Sequence, residues 1–148
     1  MASRNDPLEV LARGLRSERT PLTQELDDAL GALDEEIAQL AEALQVEYVG
    51  PGVGMADMGA RHVYRLVVRR HVWDVATASW GLKICDALDN NDLRPMWPIQ
   101  GAGRLRKQQV VAALPELFRG YAEAVAVAGK ADTDAGRRVV AMAETLLK

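Results

Sequence analysis

Apolar residues recur at steps of three and four along both ends of this chain, and the rhythm changes to alternation in the middle. The longest regular run is Leu26, Leu30, Leu33, Ile37, Leu40 and Leu44. Such spacing lays the side chains on one stripe of a helix. It predicts a helix over 21–47, with Thr20 as its cap, Pro21 in its first position, and Glu25, Asp27 and Asp28 at the positive end of its dipole. The positions beside the stripe include Asp27, Asp34 and Glu36. Two such helices side by side would repel, so the stripe is expected to pack within its own fold.

A shorter helix precedes it. Asp6 can cap, Pro7 suits the first position, Glu9 stands at the capping-box position, and Leu8, Leu11 and Leu15 form the stripe. The last third of the chain is also helical in pattern. One helix starts at Arg104, and Pro115 either kinks it or begins another that Gly129 ends. A final helix is predicted from Asp132 to Leu147, with Val139, Val140, Met142, Ala143, Leu146 and Leu147 as its apolar side.

Between these helices the composition turns to Val, Tyr, Trp and Thr. Two antiparallel strands are predicted over 62–69 and 72–78, with a turn near Arg70 that lacks the usual Gly or Asn. Both faces of these strands carry apolar residues. The stretch 79–88 reads as a third strand or a helix; Trp80, Ile84 and Leu88, behind Ser79, favour the helix. The stretch 50–59 reads as a loop. It is not a dinucleotide fingerprint, because Asp57 stands where a third glycine is needed and Pro51 removes a backbone donor. Pro95, Pro98, Gly101 and Gly103 make 93–103 irregular. The expected fold is a single α+β domain over 1–148: a small antiparallel sheet of two or three strands covered by several helices, among them a long acidic N-terminal helix and C-terminal helices.

Charge adds a feature that periodicity does not show. The net charge is −3, yet residues 1–50 hold 11 acids and 4 bases, and the remainder holds 10 acids and 14 bases. No Lys or Arg lies between Thr20 and Ala60, and then Arg61, Arg65, Arg69 and Arg70 arrive with no acid among them. Either the two segments face each other or each faces a different partner. No run is long and apolar enough to suggest a membrane span or a secretory signal, so a cytoplasmic protein without membrane contact is expected. Cys85 is the single cysteine, and His62 and His71 are the only histidines. That is too few for a Cys/His metal cluster, and no metal or cofactor is expected. Cys85 reads as a small buried residue and the histidines as solvent-exposed strand ends.

Chemistry concentrates in 95–107. Gly101, Gly103, Arg104, Arg106 and Lys107 stand where a helix begins. Glycines before exposed helix N–H groups, with cations alongside, suit a phosphate, a carboxylate or an acidic partner surface. The alternative is a basic turn neutralised by the acidic helix 21–47. Pro95, Met96, Trp97 and Pro98 have the Pro-x-x-Pro spacing of an extended docking segment, unless Trp97 folds back over the core. No catalytic constellation emerges. The expected function is non-enzymatic: an adaptor, assembly factor or regulatory subunit that contacts a protein partner. A homodimer is expected to close the second sheet face. A module or enzyme for a phosphorylated or carboxylated small molecule at 101–107 is the alternative. A third reading is a single-stranded nucleic-acid binder with Tyr64 and Trp73 stacking on bases, and the acidic net charge argues against it.

Overall fold

Asp6 and Pro7 start the first helix where the pattern places it. The Asp6 carboxylate accepts from the Leu8 amide at 3.1 Å, and α1 runs Pro7–Leu15. The structure is a computed structural model that describes residues 6–15, 23–53, 64–74, 77–86 and 94–147, without the side chains at 73, 74, 77, 86 and 94–97. Thr20 and Pro21 lie outside these residues. The cap of the long helix α2 (Gln24–Leu44) is Thr23, whose hydroxyl accepts from the Leu26 amide at 3.1 Å. Gln45 ends α2 by turning into the left-handed region at φ 57°, still donating its amide to the Ala41 carbonyl. Along the stripe, Leu26, Leu30, Leu33, Ile37 and Leu44 are buried and Leu40 is partly so.

The sheet is antiparallel, with strand order β1-β2-β3-β4: β1 Tyr48–Gly52, β2 Tyr64–Asp74, β3 Thr77–Asp86 and β4 Arg94–Pro98. The α+β class holds, and β4 and the Gly50–Gly52 part of β1 come from stretches expected to be irregular chain. Gly50–Gly52 belongs to β1, where Pro51 is tolerated because an edge strand leaves one side of its backbone unpaired. Arg94–Pro98 forms the opposite edge for the same reason, followed by a short 3-10 turn, Ile99–Gly101.

The central hairpin also differs from expectation. β2 does not turn at Arg70 but continues to Asp74, with Arg70 opposite Trp80 and His71 opposite Ser79. Of the two readings of 79–88 the structure takes the strand: it is part of β3, as far as Asp86. A spacing of four, as between Trp80 and Ile84, is also an even number and fits a strand face as well as a helix face. Leu66 pairs with Ile84 and Val68 with Leu82, and all four join the helical core. On the other face Val67, His71 and Cys85 are buried as well.

After the 3-10 turn, α3 (Arg104–Val127) runs through Pro115 as one helix, so the proline starts no new one. Its stripe is Val110, Val111, Leu114, Leu117, Phe118, Tyr121 and Val125. Gly129 follows at φ 75°, the conformation a glycine adopts cheaply after a helix. The last helix, α4, spans Asp134–Leu147, two residues later than predicted, because the Thr133 hydroxyl accepts from the Gly136 amide at 3.0 Å. Val139, Met142, Ala143 and Leu146 are buried, while Leu147 is exposed. α2 packs on α1, α4 and β3, and α3 packs on α4 and β1.

The approach of α3 to β1 depends on one small residue. A Cβ at Gly50 would lie 2.8 Å from both Leu117 Cδ1 and the Leu66 carbonyl oxygen. The backbone oxygen is held in the sheet and cannot retreat cheaply. Gly50→Ala should therefore destabilise the fold by about 2 kcal/mol, the cost of overpacking a tight contact. Urea unfolding of the variant beside Gly52→Ala, whose Cβ would meet nothing closer than 3.8 Å, checks this.

Candidate functional site

Gly103 caps α3 with extended backbone (φ −69°, ψ 165°) and no side chain, so the Arg104–Lys107 turn begins without a side-chain cap. Gly101, Gly103 and Arg104 are exposed. The other two cations have turned inward. Lys107 is only 8% exposed, and its Nζ lies 2.8 Å from Asp27 Oδ1 on α2. Arg106 donates from Nη1 to the Val53 carbonyl at 3.0 Å and to Gln109 Oε1 at 2.8 Å, and its guanidinium stands 4.7 Å from the centre of the Tyr64 ring. Nearby, Gly31 on α2 leaves room for the Gln100 amide, which would meet a Cβ there at 2.9 Å. The predicted basic cluster is thus a junction between two helix starts, and part of its charge is met inside the chain.

The same holds along α2. Glu36 accepts from Arg138 Nε at 2.7 Å and Nη2 at 3.0 Å, a two-pronged pair from α4. That carboxylate holds the Arg138 guanidinium above its ordinary pKa. Glu25 lies 3.5 Å from Arg13 on α1, with both side chains 58% exposed. Asp34 is raised above the usual carboxylate range, chiefly by burial, with Lys83 of β3 opposing the shift. The acidic helix faces bases from α1, α3, α4 and β3 of its own chain.

The docking segment is placed on β4, but the side chains of Pro95, Met96 and Trp97 lie outside those described; Pro98 is exposed. Tyr64, expected to stack on bases, instead lies half-buried beneath Arg106. Trp73 has no described side chain. Leu105 was not singled out by pattern, yet it is 70% exposed between Arg104 and Arg106. A signal was present: Leu105 lies five residues before Val110 and so falls off the stripe of α3.

His71 corrects the expectation of solvent histidines; His62 lies outside the described residues. His71 is 2% exposed, with Nε2 donating to the Val67 carbonyl at 3.1 Å. Burial lowers its pKa to about 4, helped by Arg69 and Lys83 and opposed by backbone hydrogen bonds at Val67 and Gly81. Cys85 is buried as predicted, and burial pushes its thiol up to about 11, so little nucleophilic thiolate forms near neutrality. Among the described residues no group of three or more His, Cys, Asp or Glu could hold a metal ion, and no helix is long and apolar enough to cross a membrane. No family model matches the chain, and neither a curated protein nor a solved structure matches it.

Two outcomes follow from these contacts. Lys107→Gln should lower stability by about 1–2 kcal/mol, because it leaves Asp27 partly buried without its charge partner. A double-mutant cycle with Asp27→Asn, read by urea unfolding, should return a coupling of similar size. The second outcome concerns pH. The folded imidazole stays neutral to about pH 4, whereas in the unfolded chain it gains its proton near 6.5. Between these values the unfolded state binds more protons, so stability is full above 6.5 and falls as pH drops toward 4. The loss from this group is about 3 kcal/mol at most, and Asp34, with its raised pKa, works in the opposite sense. The stability difference between pH 7 and pH 4.5 should be smaller in His71→Gln than in the wild type.

Proposed function

We propose that this chain is a non-enzymatic protein-binding module, an adaptor, assembly factor or regulatory subunit, that meets a protein partner at the start of α3. The observation that supports it is Leu105. Leu105, 70% exposed beside the exposed Arg104 in the first turn of α3, offers apolar surface for contact with another protein. Gly101, Gly103 and Arg104 belong to this surface, and the Pro95–Pro98 segment of β4 leads into it. The small-anion alternative has less support, since Lys107 is engaged by Asp27 and Arg106 by Val53 and Gln109. The nucleic-acid reading loses one of its stacking rings, because Tyr64 lies under Arg106. A second copy was expected in order to cover the outer sheet face, but Val67 and Cys85 are buried within one chain. The proposal therefore requires no dimer. A cytoplasmic setting remains part of it, on composition alone.

The test is a paired capture from the source cell with wild-type protein and Leu105→Glu. Leu105 is exposed, so the variant should melt with the wild type, within about 0.5 kcal/mol. It should lose the proteins that the wild type retains at physiological salt. An identical set of retained proteins on both baits would remove Leu105 from the contact and with it this reading.

A further inference from the structure

A second surface lies between α1 and α2, at the start of α2. Pro7 and Val10 of α1 and Ala29 and Ala32 of α2 line a groove of about 450 Å³, and Glu25 and Asp28 stand in the same lining. That volume is within the ordinary range for a ligand cleft. The apolar walls come from small side chains, which leave the two helices room for an inserted group.

The charges around the groove are unequally compensated. Of the carboxylates near the start of α2, Asp27 is neutralised by Lys107 at 2.8 Å. Glu25 has Arg13 at 3.5 Å across a gap that is more than half exposed, where a pair is weak. Asp28 accepts from Gln24 Nε2 at 2.8 Å, a neutral donor. The groove lining therefore holds two carboxylates and no base among the described residues. A neutral apolar ligand would leave those carboxylates to be desolvated without a partner, and an acidic one would be repelled.

We infer that this groove binds a short peptide segment of a partner protein, one that sets a Lys or Arg beside an apolar side chain. The apolar group lies against Val10, Ala29 and Ala32, and the cation reaches Asp28 and Glu25. The groove is lined by none of the residues assigned to the α3 surface, and the inference does not depend on the reading given there.

Amide NMR of the whole chain, titrated with the peptide Ac-Leu-Arg-Leu-Leu-Lys-amide, tests it. The control is the same peptide with Glu at both basic positions. The expected result is a saturable, salt-sensitive shift at the amides of Val10, Asp28, Ala29 and Ala32 with the basic peptide only. Asp28→Asn should weaken binding about fivefold, the effect of losing one exposed charge pair. Ala32→Arg, which supplies its own cation to the groove, should abolish it. Both positions are exposed, so both variants should fold. The inference is overturned by no saturable shift at millimolar peptide, by equal binding of the acidic control, or by indifference to Ala32→Arg. It is overturned equally by shifts that gather at Leu105, or by groove amides that move on dilution without peptide, which would mark a second copy as the occupant.

Discussion

Burial of the apolar stripe of α2 is the contact on which the rest of this structure depends. Leu26, Leu30, Leu33, Ile37, Ala41 and Leu44 are buried together with residues from α1, α3, α4 and the sheet. Each leucine or isoleucine among them contributes about 1.5–3 kcal/mol when fully removed from water. No other element touches so many neighbours: α1 and α4 pack on this helix, and so does β3, where a Cβ at Gly81 would come within 3.7 Å of the Ala38 methyl. The two ends of the helix are finished by chemistry of opposite sign. Thr23 satisfies an amide at the start, and the Lys130 ammonium donates to the Leu44 carbonyl at the end.

That arrangement gives the charge segregation a structural meaning. A helix with acids beside its apolar stripe can be enclosed only if bases arrive to meet them. Arg13, Lys83, Lys107 and Arg138 come from four different elements to do so. Removing carboxylates from water without partners would oppose the same burial that the stripe drives. The excess of bases after residue 60 is in this respect the complement of the acids before it. Among the described residues, the surface still carries an exposed leucine at the start of α3 and a groove whose carboxylates are incompletely matched.

The helices were legible in the sequence because their signals are local. Asp6 with Pro7, and the four-and-three spacing from Leu26 to Leu44, need no distant residue to be read. The sheet was harder for physical reasons. Trp80 and Ile84 satisfy the helical and the extended period at once, and only pairing with Leu66 and Val68 decides between them. Tyr48–Gly52 contains two glycines and a proline, so it becomes a strand through β2 beside it and α3 against it rather than through its own preference. At the candidate site, residues 101–107 could be recognised as a basic helix start, and an acid of the long helix could be named as a class of counter-charge. That Asp27 is the acid, and that Arg106 turns to Tyr64, depends on how two helices and a strand meet. The burial of His71 has the same origin: its neighbours in space are brought by the hairpin register.

The contacts that secure α2 have a further consequence for how the chain is made. Asp27 waits for Lys107, 80 residues later; Leu44 waits for Lys130, 86 later; and Glu36 waits for Arg138, 102 later. At a synthesis rate of about 5–20 residues per second, α2 leaves the ribosome roughly 5–20 s before its last partner has been made. During that interval its leucine stripe has only α1 and the growing sheet to shelter it. The acids beside the stripe then serve a second purpose, because two nascent copies that meet through their leucines also bring like charges together. A helix that is neutralised in the finished protein is, while unfinished, protected from its own kind by the same carboxylates.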